Sequence, residues 1–184
     1  MSNKFFLDMD GVVADWVENA ARVIGRRIYD SDVYYTHDEW NLLRNDAHIF
    51  RNLPLMPRSD ELVALARQYR DVLGWELVFL TAIPHNNDVP WTFHDKFLWA
   101  GERFPDIPVH FGPYSEDKQK HCSAGDILVD DRYSNCVQWV EAGGIAIKVG
   151  KDLDSAIAAV ELDLTSRLRE YAGMVARELL LTTL

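Results

Sequence analysis

The 184 residues amount to about one domain. With 48% hydrophobic and 26% charged residues the chain can build an ordinary core, which excludes a disordered polymer. Lys and Arg number 19 against 29 Asp and Glu, a formal net charge of −10 that excludes whole-surface attraction to nucleic acid or anionic lipid.

Two cysteines, Cys122 and Cys136, form no CxxC pair and read as reduced thiols. The first residues lack a signal-peptide core, and no apolar stretch approaches the roughly 20 residues that span a bilayer. The expectation is a soluble, cytoplasmic protein.

In chain order, Phe5, Phe6 and Leu7 predict a first strand. Val17, Ala20, Ala21 and Ile24 follow at helical spacing, with Asp15 and Glu18 placed as a capping box. The stretch 16–57, rich in Tyr, Trp, His and Asp, breaks the strand–helix rhythm and predicts a small helical insertion over one end of a sheet. A helix on Leu62, Leu65, Ala66 and Tyr69 begins after Ser59 as N-cap. Strands are expected at 77–80, 108–111, 127–129 and 145–147, the run at Pro108 carrying the weakest signal. Helices are expected at 91–104 and 137–142, and the tail from 153 to about 181 reads as helix in two pieces. This alternation predicts an α/β fold: a Rossmann-like parallel sheet with right-handed crossovers and helices on both faces. Residues 1–15 and 58–184 would form the core domain, and 16–57 a small helical cap.

The first strand runs into Asp8-Met9-Asp10-Gly11. Ligands bind open α/β sheets at the carboxyl ends of strands. Side chains at i and i+2 point the same way, and Gly11 permits an abrupt turn. Such a carboxylate pair repels itself unless a cation or a shared proton holds it. An ordinary acidic turn is the competing reading, and the remainder of a calcium-binding EF-hand loop does not follow. Asp130-Asp131 directly after an apolar run is costly without a metal or cation, though an acidic loop also reads that way. Thr81 and the backbone of Ala82 end the second strand, offering a hydroxyl and an amide; Thr81 also suits a helix cap. Lys118, within Ser115-Glu116-Asp117-Lys118, by itself reads equally as a solvated lysine. The six histidines form no HExxH or paired metal-ligand spacing.

Taken jointly, DxDG, Thr81, Lys118 and Asp130-Asp131 resemble the four motifs of the haloacid dehalogenase superfamily of phosphotransferases. The resemblance covers about residues 4–149, with the insertion in the place of that superfamily's first-type cap. A closer likeness is to the 5'(3')-deoxyribonucleotidases, carried by Asp8-Met-Asp-Gly-Val-Val-Ala-Asp15-Trp16, by Phe50 to Leu55 with its Leu53-Pro54, by Lys96-Phe97-Leu98-Trp99, by Asp117-Lys118 and by Gly125-Asp-Ile-Leu-Val-Asp-Asp-Arg132. The chain departs from that family at Ala82, where Ser is usual, and at Glu116, where Arg is frequent; its insertion also looks shorter than in the animal enzymes.

The resemblance implies Asp8 as nucleophile on phosphorus and Asp10 as acid, then base. It implies Mg²⁺ held by Asp8, the Asp10 carbonyl and Asp131, with Asp130 acting through water. Thr81, the Ala82 amide and Lys118 would bind phosphate oxygens. Trp16 and Trp40 would stack on a base, or else pack the insertion's own core, and Arg132 would reach the phosphate or pair with Asp130. The expected partner is a small nucleotide, with no nucleic-acid polymer and no membrane, and the tail helix is a packing or dimerisation element. A phosphatase of another small ester, such as a sugar phosphate, and a non-catalytic binding module on the same fold are the alternatives.

Overall fold

The computed structural model describes residues 2–29, 33–46, 48–85 and 89–182, with side chains to 178. Five strands, β1 (Lys4–Leu7), β2 (Glu76–Thr81), β3 (Val109–Phe111), β4 (Ile127–Asp130) and β5 (Ile145–Lys148), form one parallel sheet in the order β3-β2-β1-β4-β5. The fold is α/β and Rossmann-like. β1, β2 and β4 occupy the centre and are buried almost throughout, which is why they read as unbroken apolar runs. β3 and β5 are edges with half-exposed side chains, so β3 carries the weakest apolar signal.

Helices cover both faces. On one, Phe5, Leu7, Phe79, Ile127 and Val129 meet α3 (Ser59–Leu73), α4 (Thr92–Arg103) and α6 (Asp154–Thr182). On the other, Phe6, Val78, Leu80 and Leu128 pack on Trp139 of α5 (Tyr133–Glu141), whose ring meets Phe6 edge-on at 5.1 Å. Register then fixes the functional edge. Leu7 pairs with Phe79 and Val129, so Asp8, Thr81 and Asp130 emerge together at the carboxyl end. The chain leaves β1 towards β2 on one side and reaches β4 on the other, the switch point where open sheets form a crevice.

Between β1 and α3 lie α1 (Trp16–Ile24) and α2 (His37–Asn45), packed against each other. The two ends of this stretch are stitched side by side: Asp15 N–H donates to Pro54 O at 2.8 Å and Met56 N–H to Val13 O at 2.9 Å. Asp15 caps α1 by accepting from Glu18 N at 3.0 Å, while the Glu18 carboxylate turns outward to Arg27.

Three elements differ from the expectations. Ser59 is the buried first residue of α3 rather than its cap; Arg58 takes that place at φ 65°, held there by Glu61 and Asp154. α5 begins at Tyr133 because its polar first turn faces Asp130, so apolar periodicity does not reveal it. The tail is one helix of 29 residues, packed on α3 through Val160 and Leu164, with residues 169–178 exposed.

Candidate active site

Asp8 leaves β1 with its N–H on Val129 O at 2.9 Å, so the sheet itself sets where its carboxylate sits. The following turn depends on Gly11, at φ +75°; a Cβ there would lie 2.4 Å from Asp131 Oδ2. Only glycine lets the first loop pass this close to the carboxylate beyond β4.

Lys118 comes from a 3-10 helix, Ser115–His121, and is 2% exposed. Its Nζ lies 2.8 Å from Asp8 Oδ1 and 2.7 Å from Asp130 Oδ2, so it is a buried bridge rather than a solvated lysine. Asp130 is fully enclosed. Besides Lys118 it accepts from Arg132 N at 2.8 Å and from Asn135 Nδ2 at 3.0 Å.

Asp8, Asp130 and Asp131 each bring one carboxylate oxygen within 4.8 Å of the others. Burial, then repulsion from Asp130 and Asp10, pushes Asp8 up to about 7 in spite of Lys118. Burial and the charges of Asp130 and Asp8 likewise hold Asp131 well above the carboxylate range. For Lys118 burial alone would favour the neutral amine, but Asp130 and Asp8 outweigh it and keep the ammonium charged. One ammonium cannot neutralise three carboxylates. With all three ionised the excess would be two negative charges on hard oxygen donors, a set that fits a divalent cation such as Mg²⁺.

Above this floor opens a cavity of about 710 Å³, lined at its base by Asp8, Asp10, Lys118 and Asp131. Trp16, Tyr35, Trp40 and Phe50 form one wall; Ala82, Arg132 and Tyr34 lie around the rest. Trp16 stacks on Phe50 at 5.0 Å with planes 12° apart, and Trp40 lies 6.3 Å beyond. Trp16 and Trp40 therefore pack in an aromatic cluster and also line the cavity. Burial pushes the Tyr35 hydroxyl up to about 12, so it stays a neutral donor.

Thr81 is fully buried and does not line the cavity; its Oγ1 accepts from Lys96 Nζ at 2.9 Å. Arg132 donates through its guanidinium to Ser115 Oγ at 3.3 Å and lies over the Tyr34 ring, while its backbone N–H serves Asp130. Glu116, where the resembled family often has Arg, pairs with His85 at 3.0 Å beside the cavity.

Sequence reasoning assigned no role to Lys96, Asn135, Tyr35 or Phe50. Lys96 was legible. Thr92, Asp95, Lys96, Trp99 and Ala100 make the buried stripe of α4, and two charged residues on an apolar stripe need partners. Asp95 finds His48 Nδ1 at 2.8 Å. Lys96 finds Asp10 Oδ2 at 2.6 Å.

No protein-family model matches the chain. Over 83 residues it is 36% identical to proteins from two strains of Staphylococcus epidermidis, each named "Putative 5'(3')-deoxyribonucleotidase". The match covers 45% of this chain, and the chain spans 40% of the length of those relatives. Among solved structures it is similar to one from Thermotoga maritima described as a "putative beta-phosphoglucomutase", at a TM-score of 0.43 and 14% identity, over 85% of this chain and 98% of that one. The curated relatives bear the same family name as the likeness drawn from the motifs.

Proposed function

We propose that this chain is a phosphomonoesterase of the haloacid dehalogenase type, acting on deoxyribonucleoside monophosphates through a phosphorylated Asp8. The observation that carries the reading is the buried Asp8–Lys118–Asp130 bridge with Asp131 beside it, under a cavity with an aromatic wall. Keeping repelling carboxylates out of water costs stability and has no packing benefit, which argues against a retired binding module. In this reading residues 16–57 cap a core made of 1–15 and 58–184.

An Asp8 oxygen attacks phosphorus in line; a P–O bond forms as the bond to the leaving oxygen breaks. Asp10 gives its proton to that oxygen, then takes one from the water that attacks the aspartyl phosphate, and inorganic phosphate leaves with Asp8 restored. Lys118 and the Ala82 amide bind the phosphate oxygens as charge shifts among them. Thr81 contributes through its bond to Lys96 and the backbone it anchors. Asp8, Asp131 and the Asp10 carbonyl would hold Mg²⁺, with Asp130 acting through water while it orients Lys118. Bound there, the metal supplies charge neutralisation between two anions that otherwise repel. A planar base stacks against Trp16 and Trp40 with little discrimination among bases.

Phosphate release with Mg²⁺, measured across deoxynucleoside and ribonucleoside monophosphates, sugar phosphates and 4-nitrophenyl phosphate, tests the proposal. Preference for deoxynucleotides is the expected result. Turnover of sugar or aryl esters alone would keep the chemistry and discard the nucleotide, a reading that the Glu116 departure favours. Silence across the panel, with and without metal, would favour a binding role.

A further inference from the structure

Lys96 is 1% exposed and lies one layer behind the cavity, on α4. An ammonium has three protons to donate, and here each has a taker: Asp10 Oδ2 at 2.6 Å, Thr81 Oγ1 at 2.9 Å and Ala82 O at 2.7 Å. The Phe50 ring, from the stretch before α3, closes over the same nitrogen at 4.7 Å. This is a three-point mount with no freedom left at the charged end. It ties the loop after β1 to the end of β2, the two segments that supply the acid and the phosphate-binding backbone in the proposed reaction. The mount continues beyond it, because Ile83 N–H donates to Pro113 O at 2.7 Å and Gly112 N–H to Thr81 O at 2.9 Å. Asp10, by contrast, is anchored at one oxygen. Its Oδ1 is buried without a hydrogen-bond partner among the described residues, at the base of the cavity that the residue lines. Asp95 Oδ2 is likewise buried without a partner but does not line the cavity; Asp10 Oδ1 is the open carboxyl oxygen at its base, where a ligand group can exchange a proton with it.

We propose that Lys96 is a positioning residue: by holding Asp10 Oδ2 and the Ala82 carbonyl as one rigid unit, it governs protonation of the leaving-group oxygen by Asp10. The inference rests on the phosphatase reading above. In the step concerned, the bond between phosphorus and the leaving oxygen breaks as Asp8 bonds to phosphorus, and that oxygen takes the proton from Asp10. Lys96 keeps its own protons throughout and acts only through geometry.

The chemistry of the leaving group provides the test. An alkoxide needs a proton to depart, whereas 4-nitrophenolate leaves without one. Lys96→Met preserves length and apolar packing, and its turnover is compared with wild type on 4-nitrophenyl phosphate and on whichever alkyl phosphate wild type hydrolyses best. Loss of an aligned general acid predicts a fall in kcat/KM, which reports the steps up to departure of the leaving group, of about 100-fold on the alkyl ester and no more than about threefold on the aryl ester; kcat falls on both wherever hydrolysis of the aspartyl phosphate, with Asp10 as base, limits it, so all losses are compared as kcat/KM. The same substitution made on an Asp10→Asn background should cost no more than about twofold further in kcat/KM, because both changes act through the Asp10 carboxyl. That double variant also removes both charges of the pair, so it serves if Lys96→Met alone does not fold. Equal losses on the two esters, or losses that multiply with Asp10→Asn, would overturn the assignment. A wild-type protein inert on every ester would overturn the phosphatase reading and this assignment with it; an active wild type with equal losses would overturn the assignment alone.

Discussion

At the scale of single residues, the floor of the cavity is held by a balance in which each carboxylate is tolerable only because of a neighbour. Asp8→Asn removes the proposed nucleophile and one buried charge together. It should abolish phosphate release while leaving the metal-free melting temperature unchanged or higher, both read on the same preparation. Because Asp8 binds its proton more tightly in the folded state than its ordinary 3.8, folding favours the protonated form. The metal-free protein should therefore lose stability as pH rises from that value towards about 7, and Asp8→Asn should flatten the curve; urea titrations at a series of pH values would show it. Lys118→Met acts in the opposite sense. It strands Asp8 and Asp130 in the interior, and the expected loss at neutral pH without metal is about 3–5 kcal/mol. A loss below about 1 kcal/mol would mean the ammonium is no more than a surface partner.

At the scale of elements, the turn after β1 and the long last helix make contrasting predictions. Gly11→Ala meets two obstacles, a left-handed backbone costing roughly 1–2 kcal/mol and a Cβ that overlaps the Asp131 carboxylate. Calorimetry in Mg²⁺ should show weaker binding for this variant, since Asp131 must move to admit the methyl group. Along α6, Leu164 is buried and its replacement by Ala should cost about 2–5 kcal/mol. Removing the residues from Gly173 onward, where the described side chains are exposed, should shift stability by less than about 1 kcal/mol. The two results together would locate where that helix stops contributing to the core. α5 shows why helix starts escape periodicity: its first turn spends Asn135 on Asp130 instead of on apolar burial.

At the scale of the whole molecule, the site belongs to no single element. β1 brings Asp8 and Asp10, the turn after β2 brings Ala82, the 3-10 helix Lys118, and the end of β4 Asp130 and Asp131, while α1 and α2 supply Trp16 and Trp40. A divalent ion that joins β1 to β4 should therefore stabilise the entire fold. At a hundredfold excess over its dissociation constant Mg²⁺ should add about 2.7 kcal/mol, a gain that chelation reverses and that Asp131→Asn lacks. The net charge of −10 disfavours polyanions at long range, and in the proposed reaction Lys118 and a metal ion would act locally on a small phosphate. No helix among the described residues is long and apolar enough to cross a membrane.

The amino-acid sequence by itself determined the strands, because the central ones are buried on both faces and must be apolar throughout. It also determined that carboxylates follow β1 and β4, and that a hydroxyl residue ends β2, since strand ends in a parallel sheet carry their neighbours to a common edge. Only the tertiary structure decided which of these groups meet. Lys96 and Asp10 stand 86 positions apart, Lys118 and Asp130 only 12, and neither separation predicts a contact without the order β3-β2-β1-β4-β5. Helical periodicity shows that Lys96 faces inward; it does not show what Lys96 faces. Thr81 marks the same limit: its place at the strand end is legible, but its turn towards Lys96 follows from packing α4 against the sheet. A charged side chain settles wherever its desolvation is best repaid, and that depends on every element brought around it.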